Sequence, residues 1–287
     1  MRKKGNTMEK YRVKPGKAIS LAKDFDPDEA GDFHHEEKEK GEERLVELRQ
    51  ELDSLQNVLY AEHTHKVLMV VQAMDTAGKD STIRNVFEGV NPQGVKVTSY
   101  KVPTAWENDH DFLWRVHANV PAKGDLVVFN RSHYEQVLVV RVHKLESEVD
   151  WRAHYRHIND FERMLADTGT TIVKFFLYIS PDEQKKRLLE RIDDATKQWK
   201  FSPGDLPERK LWPEYMKAYE EAINQTSTDW APWYVVPSNH NWYRNLVVAS
   251  VLVDALKDLK LSYPPPADNL EQYRAALEAE PDESKKR

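Results

Sequence analysis

The sequence predicts a three-layer α/β domain built around a parallel sheet. Two observations carry the prediction. Short, uninterrupted apolar runs alternate with segments of helical periodicity, as expected of strands buried on both faces with crossover helices over them. The two most unusual polar clusters, "MDTAGKDST" and "NRSHYE", follow the first and third of those runs. Ligands of such sheets bind at the carboxyl ends of the strands, so both clusters fall on one edge.

Residues 1–40 read as a polar, extended arm containing Pro15, Gly16 and Pro27. In "HHEEKEKGEERLVELRQELDSLQNVLYAE", Leu45, Leu48, Leu52, Leu55 and Leu59 recur every three or four residues, which defines an amphipathic helix. "HKVLMVVQ" is the first strand, and a helix runs from about Lys79 to near Gly89. "NPQG" is turn chemistry, and "VKVTSYKV" is the second strand. "AWENDHDFLWRVHANV" reads as a helix, "PAKG" as a turn and "DLVVFN" as the third strand. A helix spans Asp150 to Asp167 with Gly169 as its C-cap, and "TTIVKFFLYIS" is the fourth strand. The next helix opens with Ser180 as N-cap, Pro181 at its first position and Glu183 closing a capping box. "WYVVP" is the fifth strand, and "NWYRNLVVASVLVDALKDL" is a long helix behind it. These elements place one domain over residues 41–265. The polar tail 266–287, entered through three prolines from Pro264, is expected to wrap the surface or fray.

Composition narrows the setting. Hydrophobic residues are 40% and charged residues 31% of 287, as in a soluble globular protein. The absence of cysteine excludes disulfides and thiolate metal sites. No apolar run reaches the ~18–20 residues of a membrane span, and the basic N-terminus has no apolar core behind it, so a cytoplasmic location is expected. A net charge of −6 argues against nucleic-acid binding. Within that acidic chain, Lys185 to Lys210 holds eight basic against five acidic residues, a local hint of an anionic ligand.

"QAMDTAGKDSTIR" nearly spells a P-loop, G-x-x-x-x-G-K-[S/T]. Ala73 stands where the first glycine belongs, and Asp80 stands where the hydroxyl should follow the lysine. The turn still offers a helix N-terminus and backbone N–H groups to a phosphate over Ala77, Gly78, Lys79, Asp80 and Ser81, with Lys79 as point charge. Asp75 is the oddity, because a carboxylate beside an anion is unfavourable unless a metal or a proton transfer needs it. It could hold Mg²⁺ or orient the attacking oxygen, and its bland reading is a helix cap. Asn130 can ligate a metal without adding charge, and Arg131 supplies a planar clamp for phosphoryl oxygens. Arg84 would extend the phosphate track. Arg187 and Arg191, four apart with Leu188, Leu189 and Ile192 facing the core, sit in a segment running through Trp199, Lys200 and Phe201, which suits a lid over about 183–212. Pro103, Thr104 and Glu135 are the acceptor-site candidates, and His133 reads as a packed histidine.

"QAMDTAGKDSTIR", "VFNRSHYEQVLVVRV", "YRHINDFERMLADTGTTIVKFFLYIS" and "APWYVVPSNHNWYRN" together resemble the polyphosphate kinase 2 family, over about residues 8 to 265. The Asn130-Arg131-Ser132-His133-Tyr134 form is similar to its class III. The resemblance implies a thymidylate-kinase-like P-loop fold with a five-stranded parallel sheet and a helical lid. It implies transfer of the terminal phosphate of inorganic polyphosphate to AMP and ADP, yielding ADP and ATP, with Mg²⁺ or Mn²⁺ as cofactor. It also implies a homodimer or homotetramer, and central roles for Asp75, Lys79, Arg84, Asn130 and Arg131, with Arg187 and Arg191 acting on phosphates. The rival readings are an ATP-dependent nucleoside monophosphate kinase and a non-catalytic polyanion or nucleotide sensor.

Overall fold

The computed structural model describes residues 7–31 and 37–280. The expected start of the leading helix, His34 to Glu36, and parts of the arm and tail lie outside them. Strands β1 (Lys66–Ala73), β2 (Val95–Ser99), β3 (Leu126–Asn130), β4 (Thr170–Tyr178) and β5 (Trp233–Pro237) form one sheet. All neighbours are parallel, in the order β2-β3-β1-β4-β5. The order turns at β1, which pairs with β3 on one side and β4 on the other, and that reversal opens a crevice at the carboxyl ends.

The apolar runs β1, β3, β4 and β5 form strands because both faces of the sheet are covered there, whereas the edge strand β2 is more exposed. Val67, Met69 and Val71 point into one core, while Leu68 and Val70 point into the other. The first core is closed by the leading helix Lys38–Glu62 and the helix Asn241–Asp258. In the leading helix Leu45, Leu48, Leu52 and Leu59 are buried and Leu55 is partly so, as the spacing predicts. The second core is closed by helices Glu148–Asp167 and Trp212–Thr226. Each fully buried side chain of the Val, Leu or Phe kind contributes ~1.5–3 kcal/mol, which makes the strand runs the main stabilising feature.

Several expectations need correction. Residues 105–120 do not form one helix but two single turns, Ala105–Asn108 and Trp114–His117. Thr104 and Glu107 make a reciprocal capping box that starts the first, and the polar stretch after Asn108 offers no apolar stripe to continue it. The described part of the arm packs onto the domain. Tyr11, Val13 and Leu21 are buried, Arg12 bridges to Tyr234 of β5, and Val13 N–H donates to the Trp233 carbonyl at 2.8 Å. Beyond Pro264 the tail forms an exposed helix, Leu270–Glu278. Gly169 follows the helix end with φ of 89°, as a C-cap requires.

Candidate active site

β1 delivers its last residue, Ala73, to the phosphate-type loop in extended conformation, so the missing first glycine leaves no gap. The positive φ values fall later, at Thr76 (66°) and Gly78 (99°). Gly78 is needed twice over, because a Cβ there would also lie 2.2 Å from a terminal nitrogen of Arg244. Helix Lys79–Val86 starts immediately, and its first backbone bond runs from Thr82 N–H to the Gly78 carbonyl at 2.8 Å. The N–H groups of Lys79, Asp80 and Ser81 precede that bond and have no intrahelical partner, which is what an anion site uses.

Lys79 folds back over the loop, its Nζ donating to the carbonyls of Ala73 (2.9 Å) and Met74 (3.3 Å). Burial draws its ammonium below the ordinary lysine value, and Asp75 pulls it back up. Ala77, expected to offer its N–H to a phosphate, is instead fully buried with that N–H donating to the Met74 carbonyl. The Asp80 carboxylate accepts from Asn130 Nδ2 at 2.6 Å, leaving only its backbone N–H for an anion. The Ser81 hydroxyl donates to the Gly78 carbonyl at 2.9 Å. Arg84 is exposed on the same wall.

At the end of β3, Arg131 takes a left-handed φ of 60°, a conformation costing ~1–3 kcal/mol in a non-glycine residue. It is held there by Arg131 N–H donating to the Val71 carbonyl, 3.0 Å away. Its guanidinium donates to Asp75 Oδ1 at 3.2 Å and lies 3.8 Å from Glu135, so the two polar clusters meet. Burial raises the Glu135 carboxyl, and Arg131 and Lys79 oppose that rise. A sealed network lies directly behind. Lys174, in the middle of β4, reaches Glu162 Oε2, the Tyr134 hydroxyl (2.7 Å) and the Thr226 carbonyl (2.8 Å). Glu162 Oε1 in turn faces His133 Nε2 at 3.1 Å and accepts from Tyr134 at 2.9 Å. Burial pulls Lys174 down to about 8. His133 is therefore packed, as expected, and the network anchors the two residues that follow Ser132.

The lid segment comprises helix Pro181–Asp193, a turn at Gln198–Lys200 and helix Asp205–Lys210. Its N-cap is Ser180, whose Oγ accepts from Glu183 N–H at 3.2 Å. The capping box is only half made, because Glu183 turns instead to Arg187 at 2.7 Å and Ser180 N–H donates to Asn239. Arg187 is not a free lid charge. Its guanidinium is buried and donates to the carbonyls of Thr76 (3.0 Å), Ser238 (2.7 Å) and Asn239 (2.9 Å). Leu188 is buried, but Leu189 and Ile192 are exposed rather than in the core. Arg191 lies over the cleft, 3.7 Å from Asp205, and Lys200 stands above the exposed Trp199 ring. Arg244 was missed by sequence reasoning: it donates to the Ala77 carbonyl at 2.9 Å, from the helix behind the loop.

Two cavities meet at the Asp75–Arg131 contact. The larger, about 1480 Å³, is lined by twelve Lys and Arg side chains against six Asp and Glu. That local surplus reverses the chain's net charge of −6. Besides the loop, Arg84, Arg191 and Lys200, it includes Lys38 and Arg49 of the leading helix, which sequence reasoning passed over. The smaller, about 200 Å³, is lined by Met74, Leu188, Tyr215 and Tyr219 with Glu135 and Glu208 at its polar edge. Pro103 and Thr104 line neither cavity, and Thr104 is occupied as a helix cap, so the structure does not join them to Glu135.

A five-stranded parallel sheet in this order, with a lysine-bearing loop after β1 and an arginine after β3, defines a P-loop kinase-like phosphoryl-transfer architecture. A model of the family described as polyphosphate kinase 2 matches residues 35–264. The chain belongs to the polyphosphate kinase 2 family. It is 57% identical over 259 residues to the AMP/ADP-polyphosphate phosphotransferase of Meiothermus ruber, covering 90% of this chain and 96% of that protein. It is 46% identical to the ADP-polyphosphate phosphotransferase of Rhodopseudomonas palustris, over 88% of this chain and 91% of that one. The crystal structure of polyphosphate kinase 2 from Arthrobacter aurescens TC1 superposes with a TM-score of 0.90 at 44% identity, covering 94% of this chain and 95% of that chain.

Proposed function

We propose that the protein transfers the terminal phosphate of inorganic polyphosphate to AMP and to ADP, giving ADP and ATP. The observation that carries this reading is the pair of dissimilar cavities sharing Asp75 and Arg131. A polyanion fits the basic cleft, where its phosphates meet Arg84, Arg191 and Lys200 before reaching the loop. A nucleoside fits the smaller cavity, whose tyrosines present rings to a base and whose carboxylates accept hydrogen bonds from amino and hydroxyl groups. The reacting phosphate then lies at the junction.

Transfer at such a junction is positioning plus charge stabilisation. Lys79 and the unpaired N–H groups of the loop hold the phosphoryl oxygens, and Arg131 offsets the charge that develops between donor and acceptor. Asp75 and Asn130 are hard oxygen donors lining one cleft and would hold Mg²⁺ or Mn²⁺ there. When bound, the cation neutralises phosphate charge. Asp75 also stands within reach of an acceptor oxygen entering from the smaller cavity.

Among the described residues no helix is long and apolar enough to cross a membrane. We read the protein as a cytoplasmic homodimer or homotetramer. Exposed Trp106 and Trp114, packed around His110, support an assembly that covers them.

The test compares donors. With AMP as acceptor and Mg²⁺ present, the initial rate from polyphosphate is expected to exceed that from ATP at equal phosphoryl concentration, and a chelator is expected to abolish it. Transfer from ATP alone would make the protein a nucleoside monophosphate kinase. Binding of both ligands without any transfer would make it a sensor.

A further inference from the structure

Arg244 lies in the first turn of helix Asn241–Asp258, and its side chain runs beneath the phosphate loop. It is fully buried. Its guanidinium donates to the Ala77 carbonyl (2.9 Å), Ser81 Oγ (3.0 Å), Asn241 Oδ1 (2.6 Å) and Asn245 Oδ1 (3.0 Å). It packs so closely under Gly78 that no larger residue fits there. Arg187 does for the Thr76 carbonyl what Arg244 does for Ala77, so two arginines hold successive loop carbonyls in place.

The two differ in charge balance. Arg187 has Glu183 beside it. Arg244 contacts only neutral oxygens, and among the described residues no carboxylate pairs with it. A buried cation without a counter-ion is costly to a fold, and a neutral amide could have knitted the loop to the helix. Burial, with Arg187 nearby, draws its guanidinium down to about 9, which registers that cost. The compensating benefit lies at the loop, where a cation in a low-dielectric surround adds to the field of the helix N-terminus.

We propose that Arg244 is a positioning residue for the donor phosphate, supplying from beneath Gly78 a positive charge that the bound phosphate balances. The inference rests on the reading of the loop as the donor site.

Calorimetric titration with tripolyphosphate and Mg²⁺, and separately with AMP, tests it on the unaltered protein, Arg244→Lys and Arg244→Gln. Neither variant can make all four hydrogen bonds, so both lose comparable structure, and only lysine can present a positive charge to a bound phosphate. Arg244→Gln is expected to bind tripolyphosphate about tenfold or more weakly, with Arg244→Lys recovering most of that loss and AMP affinity within about twofold throughout. If glutamine does not fold, Arg244→Met fills the same space without polar atoms and takes its place. Equal weakening of tripolyphosphate binding in both variants, or a parallel loss of AMP binding, would reduce Arg244 to a structural strut and overturn the proposal. Absence of tripolyphosphate binding by the unaltered protein would overturn the donor-site reading, and this inference with it.

Discussion

Lys79→Ala is expected to lower turnover by ~10²-fold or more, the scale of losing a preorganised donor at a reacting centre. The Lys79 ammonium is held over the loop by two carbonyls and feels the charges of both Asp75 and Arg131. Removing it takes away a point charge that acts on the transition state, so kcat should fall more than KM rises. Steady-state kinetics beside a melting curve measures this. A folded variant with near-normal turnover would remove Lys79 from the mechanism.

Glu162→Ala is expected to be the most damaging single change to stability outside the hydrophobic cores. Glu162 and Lys174 are completely buried, and removing one partner of such a pair costs ~3–5 kcal/mol because the other charge is left uncompensated. For a chain of this size that corresponds to a melting temperature lower by roughly 10 °C. The same change releases His133 and Tyr134, which follow the strained Arg131, so activity should fall even well below the melting point. Combining Glu162→Leu with Lys174→Met removes both charges and should recover much of the stability, though not the anchoring of His133. Melting of the Glu162→Ala protein within about 2 °C of the unaltered one would show that the network carries little.

Four of the five strands are legible in the sequence to within a few residues, because a strand covered on both faces must be apolar throughout, and the more exposed edge strand β2 is legible from its β-branched residues. Lys174 is a charge in the middle of a buried run, yet nothing local says that its partner is Glu162 on the neighbouring helix. The loop clusters were legible because their residue types are unusual and their place after β1 and β3 puts them on one edge. Arginines on helices were not. Arg187 sits at the spacing of a solvated or lid-facing residue, but its guanidinium reaches the Thr76 carbonyl more than a hundred residues earlier. Arg244 was hidden in the same way, inside a motif that otherwise read as the start of a core helix. The break in 105–120 was visible in principle as Thr-x-x-Glu at 104–107, a helix start, followed by residues too polar to sustain a buried stripe.

The source of the transferred phosphate and the number of times it is accepted define the activity. Labelled polyphosphate, AMP and Mg²⁺ should be incubated with the purified protein, and labelled ADP and ATP followed over time. Labelled ADP is expected first, with labelled ATP following as ADP accumulates. Labelled ADP that never proceeds to ATP would contradict the dual-acceptor reading, and no label in either nucleotide would contradict the phosphate-donor assignment itself.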